Sequence, residues 1–166
     1  MTTQSPTPEE IEKWNRWFAR ETNNLAWTLA ENPARTPAQR EEMLHAAHAS
    51  AYHWSRVGGQ LHKVRAEMLL GLVHALSGNG SPAIIYARRS CEYITSHDSP
   101  DWEIALAHAV FAIAAHAAQD ASLYEEQYAL AKHFGDAISD VEEREIFDRV
   151  FTQLPAPTGQ GLPQKV

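Results

Sequence analysis

Apolar residues recur along this chain at the three-and-four spacing of an amphipathic helix, and no stretch combines β-branched enrichment with the alternation of a half-buried strand. Glycine and proline fall between the periodic segments. Together they predict seven helices, over residues 8–31, 37–57, 60–77, 82–96, 100–118, 122–137 and 141–154. Four of the starts share one chemistry, "TPEE", "TPAQ", "SPAI" and "SPDW". A hydroxyl at the N-cap accepts from a free backbone N–H, and the proline after it needs no donor of its own. Thr7 with Glu10 and Thr36 with Gln39 also have the spacing of a capping box.

On the first helix Ile11, Trp14, Phe18, Leu25 and Leu29 fall on one stripe, which is expected to meet the core. Trp17 and Trp27 lie off that stripe and are expected against the second helix or a second subunit. The apolar run "IALAHAVFAIAAHAA" is too short and too rich in histidine to span a bilayer, so it reads as a buried central helix. Links of two to six residues make consecutive helices antiparallel neighbours, which leaves a closed bundle or an open stack of helical hairpins.

Sliding the chain by 41 residues lays Gly71 on Ala112, the turn Gly78-Asn79 on Gln119-Asp120, and Ser90 on Ala131. Leu70, Gly71, His74, Gly78, Ala83, Ala87 and Ser90 occupy the large, small and turn spacings of one helical hairpin. With these residues the segment resembles a tetratricopeptide repeat, although His74 stands where that motif places an aromatic and the period exceeds about 34 residues. Residues 47–54, Gln119-Asp120 and residues 137–147 are also similar to segments of uncharacterised bacterial proteins with such arrays. The resemblance implies an all-α fold in which antiparallel hairpins form a right-handed array over residues 1–154, followed by a disordered tail, 155–166.

Net charge is −7, unevenly spread. Residues 1–91 hold ten Lys/Arg against eight Asp/Glu, whereas 92–166 hold four against thirteen. The acidic half repels phosphate, which argues against nucleic acid as a partner. The lone cysteine, Cys91, and a start without basic or apolar leader character predict a cytoplasmic protein that engages no membrane.

The loudest chemistry is "HAAHASAYHW", residues 45–54. At about 100° per residue Met43, Ala47, Ser50, Ala51 and Trp54 share the face expected to be core, while Glu41, His45, His48 and Tyr52 gather on the opposite one. Two histidines at i, i+3 can touch one metal ion, but no third ligand is announced, so neither metal nor cofactor is expected. His74 and His108 on neighbouring helices are candidates to share a concave surface with that face. Resemblances to three-histidine bundle metalloproteins and to R-x4-H ribonucleases rest on spacings that nine histidines and ten arginines produce by chance. The expectation is a non-enzymatic scaffold for a neutral or basic peptide or protein partner, with a homodimer as a further option. The alternative is a small-molecule or metal-binding protein, or an enzyme, that uses the His45/His48/Tyr52 face.

Overall fold

The computed structural model describes residues 5–157. Its elements are seven α-helices, α1 (Pro8–Ala30), α2 (Pro37–Val57), α3 (Gln60–Leu76), α4 (Gly80–Thr95), α5 (Asp101–Ala117), α6 (Ala121–Ala137) and α7 (Val141–Phe151), with no strand among the described residues. Thr7 and Thr36 each close the reciprocal capping box that their sequences predict. The two Ser-Pro starts behave differently. Helix α4 begins earlier, with Asn79 at the cap and Pro82 inside the first turn, where a missing N–H costs nothing. Helix α5 is preceded by Pro100 in extended conformation, and neither start has a side-chain cap bond. Asp120 and Asp140 are the caps that the sequence reading missed; they accept from Leu123 N at 3.1 Å and Glu143 N at 3.0 Å.

Packing follows chain order, with a second relation laid over it. Each helix touches the next, and the odd-numbered helices also touch one another in sequence, α1 with α3, α3 with α5, and α5 with α7. Helices α2, α4 and α6 make no contact among themselves, so they sit as an outer layer over the seams of the odd layer. Helix α5 lies at the centre, with twelve of its 17 residues buried.

The 41-residue offset is visible in the backbone. Gly78 and Gln119 both adopt left-handed conformation, at φ 79° and 62°. The following amides, Asn79 and Asp120, donate to the carbonyls of His74 and Ala115 at 2.8 and 3.0 Å, so both hairpins turn through the same helix-terminating motif. The small positions meet where closeness demands it: a Cβ on Gly71 would stand 3.0 Å from the backbone nitrogen of Ala87. Glutamine in left-handed conformation carries a steric cost that glycine avoids. Gln119→Gly is therefore expected to stabilise the fold by about 0.5–1 kcal/mol, read as a higher urea midpoint at unchanged slope, and a lower midpoint would contradict it.

Helix α1 departs from the sequence expectation. Its seam with α2 is made of Ala19, Ala26 and Ala30, all fully buried, and Ser50 Oγ donates to the Ala19 carbonyl at 3.0 Å. Of the predicted stripe only Leu29 is buried, while Ile11, Trp14, Phe18 and Leu25 remain exposed. Close approach of two helices selects small side chains, so the large apolar residues mark a different face from the seam. Beyond α1, the Arg35 guanidinium donates to the carbonyls of Leu29, Ala30 and Asn32 at 3.0, 2.7 and 2.7 Å and so satisfies a helix end that has no basic residue of its own.

Helix α7 returns to the start of the fold. Phe147 and Val150 anchor it, Gln153 Nε2 donates to the Ala30 carbonyl at 3.2 Å, and Arg149 lies 3.5 Å from Glu31. The end of the last helix thus meets the end of the first. Of the expected disordered tail, residues 155–157 follow α7 with the Pro155 carbonyl accepting from the Tyr124 hydroxyl, and 158–166 lie outside the described residues.

Candidate functional site

Structure divides the predicted histidine face into unrelated surroundings. Glu41 and His45 are exposed on α2 without a hydrogen-bonding partner among the described residues, and Tyr52 is 62% exposed and turned toward the aromatics of α1 through His53. His48 does meet a second candidate: its Nε2 lies 3.1 Å from Nε2 of His74, which stacks in turn on Tyr86. One of those nitrogens must donate and the other accept, so the contact is made by neutral rings or by one cation. Among the described residues no three His, Cys, Asp or Glu side chains converge, which leaves the pair without a third protein ligand.

His108 is elsewhere, buried between α4, α5 and α6. Its Nδ1 donates to Gln127 Oε1 at 2.8 Å, Cys91 Sγ is 3.6 Å away, and the ring stacks on Phe134 at 5.6 Å between centroids. The concave surface expected to unite His74, His108 and α2 is not formed by these residues. Cys91 belongs to the same interior, where burial, with Glu92 adding to it, pushes its thiol up to about 12 and keeps it protonated and unreactive.

Burial also holds His108 below the ordinary imidazole value of 6.5, an effect that the Gln127 hydrogen bond partly offsets. His74 is lowered too, by burial first and by the charge of His48 second. Below about pH 6.5 the unfolded chain binds protons that these two rings resist, so stability is full above that pH and falls as pH drops through it. The urea midpoint at about pH 5.5 is expected below that at about pH 7.5, above the range where most carboxylates titrate. Equal midpoints would contradict the placement of both rings.

Where the odd helices converge they enclose a cleft of about 340 Å³. Helix α1 contributes Asn23, Asn24 and Trp27, with Glu31 just past its end; α3 contributes Arg65 and Met68; α5 contributes Trp102, Glu103 and Leu106; and Ile146 comes from α7. The walls are therefore aromatic and aliphatic, with amides along one side.

An ion pair forms its floor. Glu103, in the first turn of the mostly apolar α5, is 1% exposed, and both its oxygens are held by Arg65, Nε at 2.6 Å and Nη2 at 2.9 Å. That bidentate fork meets the requirement that a buried charge be paired. It also raises Arg65 above its ordinary value, through the hydrogen bond to Glu103. Arg65 itself is half exposed, and its Nη1 makes no hydrogen bond among the described residues, so it presents a donor toward the cleft. Asn23 and Asn24 touch each other only at 3.5 Å, leaving their amides open to donate and accept.

Sequence reasoning passed over this cleft because its residues come from four helices, run from Asn23 to Ile146, and share no local spacing. One signal was present: Glu103 in a helix that must be buried demands a cation from elsewhere in the fold. No protein-family model, curated protein or solved structure matches the chain.

Proposed function

We propose that the chain is a non-enzymatic, tetratricopeptide-like right-handed array of hairpins that acts as a cytoplasmic scaffold, binding a peptide segment of a protein partner in the cleft between its odd-numbered helices. The observation that carries this reading is the composition of that cleft. Trp27, Trp102, Met68, Leu106 and Ile146 supply apolar area for an inserted side chain, while the open amides of Asn23 and Asn24 match the alternating donors and acceptors of an extended backbone. Glu103 is paired with Arg65 and Glu31 with Arg149, so the lining suits a neutral segment, and the acidic second half of the chain, four Lys/Arg against thirteen Asp/Glu, favours a basic segment over an acidic one.

The repeated turn at Gly78 and Gln119 and the close approach of Gly71 to Ala87 support the hairpin-array reading, and a buried, protonated Cys91 suits a reducing compartment. Selection of short random peptides against the full chain tests the function. Enriched peptides are expected to carry a large apolar residue beside neutral or basic ones, and Asn23→Ala/Asn24→Ala is expected to weaken them at unchanged stability. Peptides unaffected by that change but lost in His48→Ala/His74→Ala would move the site to the histidine pair and sink the proposal.

A further inference from the structure

Helix α1 carries three faces. One is the alanine seam against α2, and a second, with Asn23 and Trp27, borders the cleft. The third lies roughly a third of a turn from the seam, and the described residues leave it largely exposed. It holds Ile11, Trp14, Trp17 and Phe18, which are 48%, 52%, 44% and 41% exposed, and Tyr52 of α2 extends it. The rings are already ordered against one another, with Trp14 and Trp17 edge to face at 6.2 Å and Phe18 stacked on His53 at 5.4 Å.

We propose that this face binds a second copy of the chain, the two α1 helices packing antiparallel about a two-fold axis near Asn15. Area is the first argument. A ring of this kind hides roughly 150–250 Å² when buried, so the open parts of three of them, with Ile11 and Tyr52, amount to on the order of 500 Å². That lies in the upper part of the roughly 300–600 Å² of the largest apolar patch on a monomer, the size at which such patches are often functional, and a polar rim brings it near the roughly 800 Å² per partner of a stable interface.

Charge is the second, independent argument, and it selects a copy of this chain over other partners. In an antiparallel two-fold pair each edge of the helix meets the same edge of its partner running the other way. The edge beside the aromatics carries Glu10, Lys13, Trp17 and Arg20 in order. A two-fold at Asn15 lays Glu10 opposite Arg20 and Lys13 opposite Trp17, and does so twice. An acidic start followed by a basic middle is thus complementary to itself in this orientation, with an ion pair and a cation over an indole on each side. Arg20 is 64% exposed and paired only with its neighbour Glu21, at 3.7 Å, among the described residues, while Glu10 accepts from Thr7 N through Oε2 and keeps Oε1 for a partner. Two antiparallel copies of α1 centred on Asn15 overlap over residues 8–22, and the cleft residues Asn23, Asn24 and Trp27 lie past that overlap, so the dimer leaves both clefts open.

Sedimentation equilibrium of the full chain at micromolar concentration tests the proposal. The expected mass is twice the 18.6 kDa of one chain. Trp14→Glu/Trp17→Glu, at exposed positions, is expected to give the single-chain mass with unchanged helical circular dichroism. Arg20→Glu is expected to raise the dissociation constant roughly tenfold, and Glu10→Gln, which removes the charge but keeps the capping-box oxygen, to raise it by a smaller factor. A single-chain mass across the range overturns the proposal, as does a dimer that survives the double tryptophan substitution. A monomer that binds anionic vesicles through these tryptophans overturns it as well.

Discussion

Phe147→Ala is expected to lower stability by about 3–5 kcal/mol, the largest effect of any single substitution considered for this fold. Phe147 is 1% exposed, stacks on Phe151 at 4.8 Å between centroids, and lies under the Arg144 guanidinium at 5.8 Å. Its ring also fills the place where Gly135 of α6 has no side chain, so a Cβ there would collide with it. Helix α7 is short, and its burial rests on this ring, Val150 and Leu154. Deleting the ring opens a cavity at the point where α7 is fastened to α6. The consequences reach the cleft, because Ile146 leaves one wall and the Arg149–Glu31 contact goes with it. Urea unfolding reads the loss, and a cost below about 1 kcal/mol would mean that α7 is held by other contacts.

Arg65→Ala is expected to cost about 2–3 kcal/mol. Removing the guanidinium leaves the Glu103 carboxylate with neither of its charged donors in a position that is 1% exposed. The penalty is less than for a wholly buried pair, since Arg65 is half exposed and water follows it to the cleft floor. A paired change separates desolvation from lost packing. With Arg65→Ala/Glu103→Leu no charge is stranded, so most of the lost stability is expected to return. Recovery below about a third of the loss would show that Arg65 acts mainly through packing of its stem.

Helix positions were legible in the sequence because their ends are written locally. Thr7 and Thr36 cap as their spacing requires, and the Gly78 turn is found again at Gln119 even though glutamine is a poor residue for it. The orientation of α1 was not legible. Its strongest apolar stripe is made of large residues, and periodicity registers size and hydrophobicity without distinguishing a helix seam from an exposed face; Ala19, Ala26 and Ala30 form the seam and weigh little in such a pattern. The Ser-Pro starts misled for a related reason. Gly80 packs so closely against the end of α5 that a Cβ would meet the backbone of Ala117 and Ala118, so α4 is already helical before Ser81. At the site, histidines drew attention because their chemistry is versatile. His48 and His74 do meet, whereas the cleft is made of tryptophan, asparagine and an ion pair whose members are 38 positions apart.

Amide chemical-shift mapping of the labelled chain with a selected peptide tests the central claim most directly. The account predicts perturbations concentrated at Asn23, Asn24, Trp27, Arg65 and Trp102, including the indole N–H signals of both tryptophans. Perturbations gathered at His45, His48 and Tyr52, with the cleft signals unmoved, would contradict it.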